Sequence, residues 1–282
     1  MYSTLISTAE LAARLADPSL VVVDVRHDLA HPDSWGEGEY RVGHLPGARF
    51  AHVDRDLSAP KSGTNGRHPL PSPEACAAAF ARLGIKASSQ VVAYDQGPGT
   101  YAARLWWMLR SLGHAAAAVL DGGFAVWTRE GRQVTAEVTA FRATSFVPHP
   151  IKASVDVEAV AMSLASRSKL LIDARGRERF RGDVEPIDKV AGHIPGAVNR
   201  PYTENQTPGG TFKQASELRA DFAALIEGRE PTAIVHTCGS GITACHNLLA
   251  MEHAGLRGTL LYPGSWSEWS ADPARPIARG DA

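Results

Sequence analysis

An apolar run closed by an acid and an arginine occurs twice in this chain, as VVVDVR from Val21 to Arg26 and as LLIDAR from Leu170 to Arg175, 149 residues apart. GHLPGA at Gly43–Ala48 returns as GHIPGA at Gly192–Ala197 with the same spacing. Further on the spacing falls to 142: VAYDQGPGT from Val92 lies over IVHTCGSGI from Ile234, and LDGGFAVW ending at Trp127 lies over YPGSWSEW ending at Trp269. A period this long, met twice, is a duplicated domain and not a solenoid of short repeats. The change in spacing places an insertion in the first half, in the polar stretch KSGTNGRHP.

Within each half, apolar runs of four or five residues bounded by turn residues alternate with helical patterns such as PEACAAAFARLG and TYAARLWWMLRSLG. That alternation predicts parallel strands buried on both faces, an α/β fold built twice, each half a mainly parallel sheet flanked by helices. The stretch TAEVTAFRATSFVPHPIKASVD has no helical period and carries Pro148 and Pro150, so we place the domain boundary there, as 1–147 and 148–282.

Composition narrows the function. Lys and Arg total 29 against 30 Asp and Glu without a basic run, which argues against nucleic acid and anionic membrane as partners. No run of 18 apolar residues occurs, and the opening MYSTLISTAELAARLADPS lacks the basic and apolar regions of a leader, so a cytoplasmic protein is expected. Three cysteines, Cys76, Cys238 and Cys245, make neither a disulfide framework nor a zinc spacing. No metal and no cofactor are expected.

Cys238 stands where ligands gather in such sheets, at the carboxyl end of a strand (AIVHT) before a helix (ACHNLLAMEHAG). Between them, CGSGIT can curl so that the N–H groups of Gly239, Ser240, Gly241, Ile242 and Thr243 converge on one point. Such a nest suits an anion, and a sulfur at its centre is a candidate thiolate nucleophile. A helix N-terminus adds at most about 2 kcal/mol, so the loop amides must supply the rest. Cys76 and Cys245, each on a predicted helix, are read as packing. Cysteine phosphatases use a similar loop with an arginine six residues after the cysteine. Here that residue is Ala244, so a phosphatase-like enzyme is the weaker alternative.

The paired DVR and DAR strands, the two GHxPGA segments, the loop CGSGITA and the closing GSWSEW together resemble the tandem-domain rhodanese family, the thiosulfate and 3-mercaptopyruvate sulfurtransferases, over nearly the whole chain. The resemblance implies two rhodanese-like domains, the second catalytic and the first not. The first has Gln96 at the cysteine position and Pro98, which has no N–H to donate, at the position of Ser240. It implies a Cys238 persulfide formed from a small anionic sulfur donor and discharged to a small thiol, cyanide or a thioredoxin-like protein. The alternative within this fold is a non-enzymatic persulfide carrier or interaction module.

Ser240 is a candidate hydroxyl donor, with Thr243 beside it, and Arg179, in DARGRERFRG, the candidate contact for the donor anion. The loop CGSG resembles the mercaptopyruvate enzymes, where thiosulfate enzymes carry a basic CRKG. The second arginine those enzymes place after EP is Ile187 here, which leaves Arg175 or Arg181 as substitutes. The resemblance brings His44 toward the site for proton transfer, while His193, Asp24 and Asp173 are expected to be structural. Trp266 and Trp269 are read as core or as walls of the donor pocket.

Overall fold

Val21–Val23 and Val91–Ala93 have no polar face, and each run lies in the middle of a sheet, where both sides need apolar cover. The computed structural model describes residues 1–281. The strands are β1 (Leu5–Ile6), β2 (Leu20–Asp24), β3 (Arg49–Phe50), β4 (Gln90–Tyr94), β5 (Ala117–Leu120), β6 (Leu170–Asp173), β7 (Val198–Asn199), β8 (Ile234–Thr237) and β9 (Leu260–Leu261). They form two parallel sheets, ordered β1-β5-β4-β2-β3 and β7-β6-β8-β9.

The second sheet repeats the first without its edge strand. Where Leu5 pairs with Val119 in the first, a single bridge from Ser154 to Leu261 remains in the second. Each sheet has its own apolar cluster: Val22, Tyr94, Leu120 and Trp127 in one, Leu171, Val235, Trp266 and Trp269 in the other.

The motifs shared by the halves are fastening devices. Asp24 accepts from the Arg26 N–H and guanidinium, whose other arm donates to Gly43 O; Asp173, Arg175 and Gly192 O repeat the arrangement. A buried pair, its guanidinium shared between the carboxylate and a turn carbonyl, ties the strand end to the GHxPGA loop. Removing one member would leave a buried charge alone, at about 3–5 kcal/mol.

The chain forms two compact units: Met1–Ala59, Pro71–Lys152 and Pro208–Phe212 make one; Pro60–Leu70, Ala153–Thr207 and Lys213–Ala282 the other. This differs from a single cut near residue 147, because the inserted segment 60–70 packs with the second unit and 208–212 with the first. The stretch before Lys152 lies along the first unit, with Thr144 N–H on Ala81 O and Lys152 N–H on Ser111 O. Among the described residues no helix is long and apolar enough to cross a membrane.

Candidate active site

The loop after β8 curls because Gly241 adopts φ +76°, a conformation glycine takes without penalty, and the N–H groups of Ser240 and Gly241 then point at Cys238 Sγ, at 3.4 and 3.2 Å. Helix Thr243–His253 begins directly after it. Two further supports fix the cradle. The Cys238 N–H donates to Ser265 Oγ at 3.1 Å, and its carbonyl accepts from the Trp266 N–H at 3.0 Å. Beneath the loop the Cys245 thiol donates to Gly241 O at 3.3 Å, so this cysteine, expected as packing, also braces the cradle. Cys238 itself is 1% exposed.

Ser240 joins the site through its hydroxyl as well, with Oγ 2.8 Å from His68 Nδ1. His68 and its neighbour Arg67 come from the inserted segment, which the sequence marks as an insertion without marking its chemistry. Arg67 is fastened by its N–H to Ser267 Oγ at 3.0 Å, and its guanidinium lies over Gly239: a Cβ built there would meet Arg67 Nη2 at 2.7 Å and the Arg179 Nη atoms at 3.6 and 3.7 Å. Arg179 thus stands beside the loop. Ile242, at the start of the helix, is buried, and Thr243 is half-buried.

A chain of ion pairs backs these arginines. Arg179 binds Glu185 at 2.7 Å and Asp188 at 3.3 Å, while Arg67 takes the other oxygen of Asp188. Burial opposes ionisation of Glu185, but Arg179 and the Asp188 and Ile187 N–H groups outweigh it and hold its pKa below the usual value. Burial likewise opposes the charge on Arg175; Asp173, Glu185 and the Cys238 sulfur outweigh it and keep the guanidinium protonated. Arg175 is therefore a fixed positive charge behind the loop, its arms committed to Asp173, Glu185 and Gly192 O. Arg181 pairs with Asp183 at the surface.

Other candidates fall outside this cluster. His44 lies in the first unit, fully buried, stacked on Tyr40 at 4.0 Å, with Nδ1 2.6 Å from Tyr40 O and Nε2 3.2 Å from Glu137 O. His193 stacks on Phe180 at 3.7 Å, with Nδ1 2.8 Å from Phe180 O. Trp266 and Trp269 are core, their indole N–H groups on Val190 O and Pro276 O. Cys76 is buried, and desolvation pushes its thiol up to about 11.

The equivalent loop of the first unit keeps its nest and fills it differently. Asp95 accepts N–H bonds from Gly97, Gly99, Tyr101 and Ala102 at 2.9–3.3 Å, so the amides converge on the chain's own carboxylate. The sequence comparison expected a partly lost cradle; the structure has an occupied one.

Comparison with known proteins agrees with this architecture. The Rhodanese-like domain pattern matches residues 7–130 and 157–272. The chain belongs to the rhodanese family, with two such domains in tandem. It is 46% identical over 280 residues to a Pseudomonas aeruginosa protein named "Probable 3-mercaptopyruvate sulfurtransferase", covering 98% of each chain. It is 34% identical over 309 residues to the thiosulfate sulfurtransferase of Mus musculus, covering 99% of this chain and 97% of the other. Among solved structures, the 3-mercaptopyruvate sulfurtransferase from Leishmania major superposes with a TM-score of 0.84 at 31% identity, over 95% of this chain and 74% of that one.

Proposed function

We propose that this sulfurtransferase carries sulfur on Cys238, taking it from 3-mercaptopyruvate in preference to thiosulfate. The observation that carries the reading is the pair of loop N–H groups on Cys238 Sγ with Ser240 Oγ tied to His68. Donors aimed at the sulfur favour its anion, and the anion is the nucleophile.

The thiolate attacks the donor's sulfur, an S–S bond forms and the S–C3 bond of mercaptopyruvate breaks, its electron pair leaving as the enolate of pyruvate. A proton then goes to C3. Ser240 Oγ is placed to give it, with His68 Nδ1 restoring it, a general-acid role for a hydroxyl held by an imidazole. In the second half a small thiol, cyanide or a thioredoxin-like protein attacks the outer sulfur and Cys238 leaves as thiolate. Arg179 binds the donor's anionic group, and the N–H groups of Ser240 and Gly241 face the sulfur.

The first unit is assigned no chemistry: Gln96 holds the cysteine position and Asp95 fills the nest. His44 is assigned to holding the GHLPGA turn, since both ring nitrogens face backbone carbonyls. The cytoplasm, where small thiols are abundant and cysteines stay reduced, is the compartment that suits this cycle.

Incubation with 3-mercaptopyruvate and intact-mass measurement tests the reading. Addition of about 32 Da, lost in Cys238→Ser and removed by a thiol, is the expected result. No addition from mercaptopyruvate or thiosulfate would overturn it.

A further inference from the structure

The first unit holds a cavity of about 660 Å³ at the amino ends of β4 and β5, the opposite end of β4 from the Asp95 nest. Three stretches of that unit wall it: 86–88 before β4, 112–116 before β5, and 145–149. All three are pinned. Thr144 fastens the third stretch at one side, N–H to Ala81 O and hydroxyl to Ile85 O at 2.6 Å; the His149 and Lys152 N–H groups fasten it at the other, to Leu112 O and Ser111 O. The His149 ring packs on Gly113, at φ +92°, where a Cβ would sit 2.4 Å from its Cδ2. Phe146 meets Phe80 edge-on at 5.1 Å, and Lys86 and Ser89 close their turn on each other. The space is therefore preformed, and its volume is that of a small-molecule site.

Its lining has a definite chemistry. Lys86, Ser88, His114, Ser145 and His149 supply the polar groups, and no Asp or Glu among the described residues lines it. The carbonyls that end helix Thr100–Ser111 do not repel an anion there, because Leu109 O, Arg110 O, Ser111 O and Leu112 O each accept an N–H. His114 is 5% exposed, and its Nε2 has no hydrogen-bond partner among the described residues. A buried polar atom left so is one that a bound ligand can satisfy. Burial outweighs the Ser89 and Ala116 backbone groups and lowers the His114 pKa, so this ring is neutral at pH 7. The apolar part comes from Leu112, Phe146 and Val147, and the Phe146 and His114 rings stand 6.0 Å apart at 49°. Rings at such a separation accept a further ring in an offset or edge-on pose.

We propose that this cavity is a second binding site, for a small aryl carboxylate whose ring lies among Phe146, His114 and His149 and whose carboxylate meets Lys86 and the Ser88 hydroxyl. Lys86 brings one positive charge, which matches one carboxylate. None of these residues takes part in the sulfur transfer derived above, so the site stands or falls apart from the Cys238 reading.

Benzoate is the probe, titrated into the full chain by isothermal calorimetry, with benzyl alcohol and acetate as controls for the charge and the ring. Benzoate should bind with a Kd below about 3 mM, and each control at least about tenfold more weakly. Ser88→Glu sets a carboxylate beside Lys86, and Ala115→Trp fills the cavity; both replace exposed residues. Each should weaken benzoate at least about tenfold and leave the rate of sulfur transfer within about twofold. Arg179→Met, which alters the sulfur site instead, should bind benzoate as the wild type does. A benzoate Kd above about 10 mM overturns the proposal, and so does benzyl alcohol binding as tightly as benzoate. Binding that survives both cavity substitutions, or that is lost in Arg179→Met, places benzoate elsewhere and overturns it as well. Should circular dichroism show one cavity variant unfolded, the other decides; should both unfold, Lys86→Gln, again at an exposed position, decides by the same tenfold criterion.

Discussion

Replacing Gly241 by alanine adds one methyl group to the sulfur loop at the position with least room for it. The backbone there has φ +76°, and the added Cβ would lie 2.3 Å from the Pro263 carbonyl oxygen and 2.9 Å from its Cα. A left-handed backbone costs a non-glycine residue about 1–2 kcal/mol. Overpacking against backbone adds about 1–3 kcal/mol, because no flexible side chain can move aside. Pro263 must shift, and it precedes Ser265 and Trp266, which hold the Cys238 backbone. The expected loss of about 2–5 kcal/mol is large beside a domain stability of about 5–15 kcal/mol and lowers the melting midpoint by at least about 5 °C. One of the two N–H bonds to Sγ is displaced as well, so persulfide loading should slow at least about tenfold. Gly239→Ala is the matched control: φ is not left-handed and the Cβ meets, at 2.7 Å, only the far end of the Arg67 side chain. It should melt within about 0.5 kcal/mol of wild type and act mainly on KM. Thermal unfolding followed by circular dichroism, with loading rates from intact mass, compares the two. A Gly241→Ala protein that melts and loads like wild type, or a Gly239→Ala protein that is the worse of the pair, would refute the reasoning.

Two further outcomes follow from burial. His236 on β8 is fully buried, neither ring nitrogen has a hydrogen-bond partner among the described residues, and desolvation lowers its pKa to about 3. The unfolded chain binds a proton below about pH 6.5 that the folded chain refuses, so stability is whole above that pH and lost as pH falls toward 3, by about 2 kcal/mol at pH 5. His236→Phe should remove that part of the acid loss in urea titrations at pH 7 and pH 5; an unchanged pH dependence would mean the imidazole is not buried neutral. The Cys76 thiol, pushed up to about 11, stays protonated and covered, so iodoacetamide at pH 8 should leave it unmodified in the folded protein and label it after unfolding; prompt native labelling of Cys76 contradicts its placement.

How much of this was legible in the sequence depends on whether the signal is local. The runs around Val22, Val92, Leu171 and Val235 announced buried parallel strands, because three or four apolar residues in a row leave no polar face, and β2, β4, β6 and β8 lie where they fell. The glycines flanking Ser240 announced the curl of the loop, since Gly241 needs a positive φ. Arg67 and His68 were not legible. Their stretch, KSGTNGRHP, has the composition of any polar turn, and it joins the site through contacts 121 to 200 residues distant in the chain, such as His68 with Ser240. The drop in repeat spacing was the available sign: a segment that one copy has and the other lacks is free to serve the other copy. Asp95 was hidden for a different reason. An acid next to the vacant cysteine position reads as a turn residue until four N–H groups are seen on its carboxylate.

The duplication separates scaffold from chemistry when one half is subtracted from the other. What survives the comparison repeats the same contacts: Asp24 with Arg26 and Asp173 with Arg175 tie strand ends to turns, and His44 and His193 each stack on an aromatic ring, Tyr40 and Phe180. Several differences gather at one loop. Cys238 stands against Gln96, Ser240 against Pro98, Arg179 against Ala30, and the segment bearing Arg67 and His68 has no counterpart. A fold that must be built twice constrains both copies alike, so a residue found in one copy alone has been released from that duty, and Cys238, Ser240, Arg67 and His68 are such residues gathered within hydrogen-bonding or van der Waals reach of one loop.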